Sequence, residues 1–79
     1  MAEASGVYLQ LGAFASRENA GLFRDRVASE LTWLGDALRI ESRDGLHRVR
    51  AGPYRDRIEA LAVSGHIREA LEVTPIVVR

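Results

Sequence analysis

The stretch Gly45-Leu46-His47-Arg48-Val49-Arg50-Ala51-Gly52-Pro53-Tyr54 holds the residues with the clearest chemical use in this chain. Arg48 and Arg50 alternate with Val49 and Ala51, and successive side chains of a strand point to opposite faces. One face therefore suits a core. The other carries two guanidinium groups about 7 Å apart, the rise over two strand residues, with Leu46 beside them. A guanidinium presents forked donors that match a carboxylate. The chemistry on offer is recognition of a polar, weakly anionic, extended ligand such as an oligosaccharide, rather than bond breaking.

Residues for bond breaking are not assembled. His47 sits within that strand and His66 on a helix, and they read as a half-buried strand residue and a solvated helix residue. Cysteine is absent, which excludes disulfides, thiolate nucleophiles and cysteine zinc sites. Lysine is absent too, so neither a lysine P-loop nor a Gly-x-Gly-x-x-Gly phosphate loop exists. An acyl-phosphate hydrolase would need a glycine-rich anion loop with its arginine after the first strand. Here that loop is Gly12-Ala13-Phe14-Ala15-Ser16, followed only by Arg17. Glu41, Asp44, Asp56 and Glu59 are accounted for by turns, caps and surface. No catalytic residue, metal or cofactor is expected.

The arginine face must be held by the rest of a chain of 79 residues, the size of one small domain. Apolar residues make up 47%, enough for a thin core. Eleven basic and eleven acidic residues cancel, so any attraction for an anionic partner must come from a local patch. No apolar run approaches the roughly 18 residues of a membrane helix. Residues 1–6 read as a linker with Met1 as a cloning start, the chain being a fragment of a longer protein. They lack the basic region and apolar core of a signal peptide.

Val7 to Gly12 alternates, with Val7, Leu9 and Leu11 on one side and Tyr8 and Gln10 on the other, which predicts a first strand. Ser16 suits a helix N-cap. Ala20, Phe23, Val27, Leu31 and Leu34 then form one helical stripe, with Gly35 as the C-terminal cap. Trp33 lies beside that stripe and is expected to cover the helix end. Leu38 to Ser42 predicts a second strand, with Arg39 and Glu41 outward. Asp44-Gly45 predicts a hairpin turn into a third strand, Leu46 to Ala51, closed by Gly52-Pro53. Asp56 with Glu59 resembles a capping box for a second helix striped by Ala60, Val63, Ile67, Ala70 and Leu71. Thr74-Pro75 ends it, and Ile76-Val77-Val78 predicts a last, edge strand.

An internal repeat supports this order. Gly12-x-Phe14-x-Ser16-Arg17-x-x-Ala20 recurs forty positions on as Gly52-x-Tyr54-x-Asp56-Arg57-x-x-Ala60. Two strand–helix halves arranged β-α-β-β-α-β predict an α+β, ferredoxin-like (RNP-like) sandwich: a four-stranded sheet with two helices on one face. Its first and third strands are central. The repeat then sets Tyr8, Gln10, Arg48 and Arg50 together on the face opposite the helices.

Taken in order, Tyr8-Leu-Gln-Leu-Gly-Ala-Phe14, Glu18-Asn19-Ala20, Gly45 to Tyr54, and Thr74 to Val78 resemble the SPOR domain, the sporulation-related repeat of bacterial cell-envelope and division proteins. The likeness spans Val7 to Arg79, read as the domain itself. It is greatest to the C-terminal SPOR domains of rare lipoprotein A type lytic transglycosylases. The resemblance implies a non-catalytic module that binds septal peptidoglycan, on glycan strands stripped of their stem peptides, in the periplasm at the division septum. It implies Gln10 as the binding glutamine, Ala13 as the small residue after the glycine, Leu46 as the apolar position and Arg48 as the binding arginine. Arg50 joins them by alternation. Many members have an aromatic where this chain has Leu46, and Tyr8 is the aromatic available in its place.

From residue types alone, three alternatives stay open. Arg48 and Arg50 could be solvated strand residues paired with Glu41. The sheet could be a nucleic-acid platform, although that use stacks bases on two or three sheet aromatics and only Tyr8 faces outward. The module could also pair through its edge strands. The expected partner is the stripped glycan strand, with no nucleic acid, no membrane contact and a monomeric domain.

Overall fold

Alternation in Val7–Phe14 (β1) is written directly into burial: Val7, Leu9 and Leu11 are buried, and Tyr8 and Gln10 are half-buried on the other side. The computed structural model describes residues 6–79; of the expected linker, residues 1–6, all but Gly6 lies outside the described residues. The elements that follow are α1 (Arg17–Glu30), a 3-10 helix (Thr32–Ala37), β2 (Leu38–Arg43), β3 (Leu46–Tyr54), α2 (Arg57–Leu71) and β4 (Ile76–Val78). The sheet runs β2-β3-β1-β4 with every neighbour antiparallel. The α+β ferredoxin-like order is therefore as expected, with β1 and β3 central and β4 at an edge.

One side of the sheet meets the helices. Leu9, Val49, Val27, Leu34 and Ile67 are fully buried there, with Ala20, Ala51 and Ala60 filling the close approaches. Burying a side chain of the larger kind contributes about 1.5–3 kcal/mol. Each helix starts on the cap that the repeat predicts. Ser16 Oγ accepts from the Asn19 N–H at 3.1 Å, and Asp56 Oδ1 accepts from the Glu59 N–H at 2.9 Å. Glu59 in turn accepts from the Arg55 N–H at 2.6 Å, one residue before the cap. Asp44 and Gly45 both have positive φ, 55° and 79°. This is the geometry of a two-residue turn whose twist matches the strands it joins.

Five details depart from the sequence reading. β1 runs past Gly12 to Phe14, because a bulge between Gln10 and Gly12 lets the ladder continue. β3 likewise runs through Gly52-Pro53 to Tyr54. There the register shifts between Val7 and Leu9, leaving β3 with an extra residue, so the missing proline N–H breaks no ladder bond. α1 stops at Glu30, not at Gly35. The Leu34 N–H bonds the Leu31 carbonyl at 2.9 Å, so a 3-10 turn carries Leu34 into the core. The three-residue step from Leu31 to Leu34 fits either helix type. On α2 Ser64 is buried and Ala70 is exposed, and Trp33 does not seal the helix end. Trp33 is 57% exposed, and its ring meets that of His66 edge-on at 6.3 Å.

Candidate functional site

The face of the sheet away from the helices is built in cross-strand ranks. Residues directly paired across strands share a face. One rank is Arg39 on β2, Arg50 on β3, Gln10 on β1 and Ile76 on β4. The next is Glu41, Arg48 and Ala13, and beyond it Arg43 pairs with Leu46. Tyr8 and Val78 form a further pair at the other end. The six residues singled out from the sequence, Tyr8, Gln10, Ala13, Leu46, Arg48 and Arg50, thus stand on one face that neither α1 nor α2 covers.

Ala13 reaches that face only because of the bulge. Unbroken alternation from Val7 through Leu9 and Leu11 would turn Ala13 toward the helices. Instead Leu11 and Gly12 both lie on the helix side. A Cβ on Gly12 would come within 3.0 Å of Phe14 Cε1 and 3.5 Å of Phe23 Cε2. Phe14 packs on Phe23 at 5.3 Å between ring centroids, and Ala13 comes out exposed beside Arg48.

The two arginines of β3 are not equivalent. Arg50 Nη1 donates to Glu41 Oε1 at 2.7 Å, and its Nη2 donates to Gln10 Oε1 at 3.4 Å. Its Nε is buried and finds no acceptor among the described residues. Arg48 makes no ion pair or side-chain hydrogen bond among the described residues, although Glu41 is its direct cross-strand neighbour. The expectation of pairing with Glu41 therefore applies to Arg50 alone. Among the described residues the Arg48 fork has no partner, and a guanidinium fork is a geometry that can take a carboxylate.

Sequence reasoning placed Arg39 outward but left it out of the site. Its guanidinium carbon lies 5.5 Å from the Tyr8 ring centroid, and its Nη2 reaches the Gly52 carbonyl at 3.4 Å. A readable signal existed. A two-residue Asp44-Gly45 turn fixes the hairpin register, and counting back from Arg43 opposite Leu46 sets Arg39 opposite Arg50. With Arg43, the face then carries four arginines and one carboxylate among the described residues, on a chain of zero net charge. Among the described residues, the β1–β4 half, with Tyr8, Gln10, Ala13, Ile76 and Val78, carries no charge.

Nothing else gathers comparable chemistry. No group of three or more His, Asp or Glu side chains that could hold a metal occurs among the described residues. His47 Nδ1 lies 2.6 Å from Ser42 Oγ on the helix side of the hairpin. The Tyr54 hydroxyl is buried without a partner among the described residues, and desolvation, then the nearby Glu59 carboxylate, push it above the usual tyrosine range. No helix among the described residues is long and apolar enough to cross a membrane.

The sequence model of the family described as SPOR domain matches residues 3–79. The chain belongs to the SPOR domain family. Among solved structures it is similar to the SPOR domain of RlpA from Pseudomonas aeruginosa. That likeness has 33% identity, covers 94% of this chain and 99% of the other, and has a TM-score of 0.68. It is also similar in fold to the peptidoglycan binding domain of the B. subtilis cell wall lytic enzyme CwlC. There the identity is 22%, with 99% and 94% of the two chains covered and a TM-score of 0.71. Among curated proteins none matches this chain. The expected resemblance, to SPOR domains and to the rare lipoprotein A type among them, is met. This SPOR domain is a binding module, not an enzyme.

Proposed function

We propose that this SPOR domain binds peptidoglycan through its uncovered sheet face, that it recognises glycan strands lacking stem peptides, and that it thereby brings a parent protein to the division septum. The observation that carries the reading is Arg48, a guanidinium with no partner among the described residues, on an arginine-rich face of a neutral chain, flanked by Ala13 and close to Leu46. Family membership supports the peptidoglycan part, and the CwlC domain of the same fold is itself a peptidoglycan binding domain.

The preference for stripped strands has a physical basis. Removing the stem peptide from N-acetylmuramic acid frees the lactyl carboxylate. Arg48 pairs with that carboxylate through charge-assisted bonds of about 1.5–3 kcal/mol. A retained peptide would remove that carboxylate's charge and collide with the sheet. Exposed Ala13 leaves room for the sugar beside Arg48, Gln10 offers a donor and an acceptor, and Leu46 offers apolar contact. A nucleic-acid role has less support, since the described sheet face presents one aromatic ring, Tyr8, and Arg39 already lies over it.

The test is capture of the domain by purified sacculi, with and without amidase pretreatment, alongside Arg48→Ala and a single-stranded oligonucleotide. The reading expects amidase treatment to raise capture and Arg48→Ala to remove most of it. Equal capture on both kinds of sacculi would refute the stripped-strand preference, and tighter binding to the oligonucleotide would refute the glycan reading altogether.

A further inference from the structure

We propose that Arg39 is a second anion-binding residue of this face, and that with Arg48 it reads two separate carboxylates along one extended glycan strand. The proposal rests on the glycan reading above and adds a residue, a valency and a minimum ligand length to it.

Arg39 and Arg50 are direct cross-strand partners, and like charges placed opposite each other repel. The two side chains diverge. Arg50 turns to Glu41 and Gln10, which together occupy its Nη1 and Nη2. Arg39 turns the other way, over Tyr8 and toward the Gly52 carbonyl. Gly52 is buried, and a Cβ there would come within 2.9 Å of Tyr8 Cδ2, so its lack of a side chain lets the ring settle against the strand. The ring in turn steadies the guanidinium at 5.5 Å, within cation–π reach. Arg39 has no carboxylate partner among the described residues and remains exposed. It is an exposed cation held by two contacts, neither of them a carboxylate.

Arg39 and Arg48 therefore lie on either side of the hydrogen-bonded Arg50–Glu41–Gln10 cluster. Their Cα atoms are roughly 8 Å apart, from one strand spacing and two residues of rise. The turn of Arg39 toward Tyr8 carries its head further from Arg48. One carboxylate cannot bridge heads that diverge around a third side chain. Two carboxylates on an extended polymer can, each taking one fork. A glycan strand stripped of stem peptides has that form, with one lactyl carboxylate per disaccharide. The second contact is then intramolecular and strengthens binding only when the ligand is long enough to span both heads.

The experiment is calorimetric titration of the whole chain with stem-peptide-free glycan fragments of one, two and three disaccharides. The proteins compared are the unchanged sequence, Arg39→Ala, Arg39→Lys and Arg48→Ala, with thermal midpoints measured in parallel. Arg48→Ala is expected to weaken every fragment. Arg39→Ala is expected to leave the one-disaccharide fragment unchanged and to weaken the longer ones by roughly tenfold, the loss of one charge-assisted contact. Arg39→Lys keeps the charge and loses the planar fork, and is expected to fall between. If Arg39→Ala binds all fragments as the unchanged chain does, or weakens all of them equally, the two-carboxylate proposal is wrong while the Arg48 site stands. If the unchanged chain binds no fragment, the glycan reading falls and this proposal with it.

Discussion

Arg48 and Arg50 project from the same strand to the same side, two residues apart, yet among the described residues only Arg50 is tied down, its Nη1 donating to Glu41 Oε1 at 2.7 Å. The pair is partly solvated, with side-chain exposures of 21% for Arg50 and 44% for Glu41, so solvent screens much of its Coulomb energy. Arg50→Ala should therefore lower stability by about 0.5–1 kcal/mol, and Arg48→Ala by less. Binding should show the reverse order. Arg48→Ala should weaken binding to stripped glycan by roughly ten- to hundredfold, and Arg50→Ala by less, through loosened Gln10 and Glu41. Urea unfolding and glycan titration on the same two variants check both halves.

Gly52 combines a φ of 138° with a crowded Cβ direction, where an added carbon would meet the Val7 carbonyl oxygen at 3.0 Å as well as the Tyr8 ring. Backbone cannot step aside as a flexible side-chain end can. Gly52→Ala should cost about 1–3 kcal/mol and lower the thermal midpoint by roughly 4–8 °C per kcal/mol for a domain of this size. Gly65, with open space at its Cβ direction on α2, should respond in the opposite sense to alanine, gaining up to about 1 kcal/mol.

Ser16 and Asp56 perform the same task in the two halves of the repeat, each accepting the N–H three residues on. Alanine at either position should cost about 1 kcal/mol. The double variant should lose close to the sum, since the caps serve different helices and share no partner. A marked shortfall in the sum, read by urea unfolding, would mean that the two halves are not independent.

Tyr54 gives a pH dependence. Its hydroxyl is raised by desolvation and then by Glu59, so the neutral form is favoured in the folded state. The unfolded chain ionises at about pH 10. Below that pH the contribution to stability is fully present, and it is lost as pH rises through the higher folded value. Tyr54→Phe removes that loss together with a buried hydroxyl that has no partner among the described residues. Urea unfolding at pH 8 and pH 11 should show the unchanged chain losing more stability than Tyr54→Phe.

The fold was largely legible because local signals agreed. Ser16 and Asp56 marked the helix starts, Asp44-Gly45 marked the turn, and the forty-residue repeat bound the halves into one topology. What alternation could not show was its own interruption. A bulge adds one residue and reverses the facing of everything beyond it, so Ala13 on the open side was available from the family resemblance and not from counting. The division of labour between Arg48 and Arg50 was also hidden. It depends on Glu41 reaching diagonally past its nearest neighbour, a rotamer choice that residue types do not encode. Trp33 was misplaced because the switch from α to 3-10 geometry after Glu30 turns its ring to solvent.

The claim beneath the rest is that ligand lies on the uncovered face. Amide shift mapping of the isotopically labelled chain, titrated with stem-peptide-free glycan, tests it at every residue at once. The account predicts the largest shifts at Gln10, Ala13, Leu46, Arg48 and Arg39, with α1 and α2 unmoved. Shifts gathered instead around Trp33, His66 and Ala70, on the helix side, would contradict it.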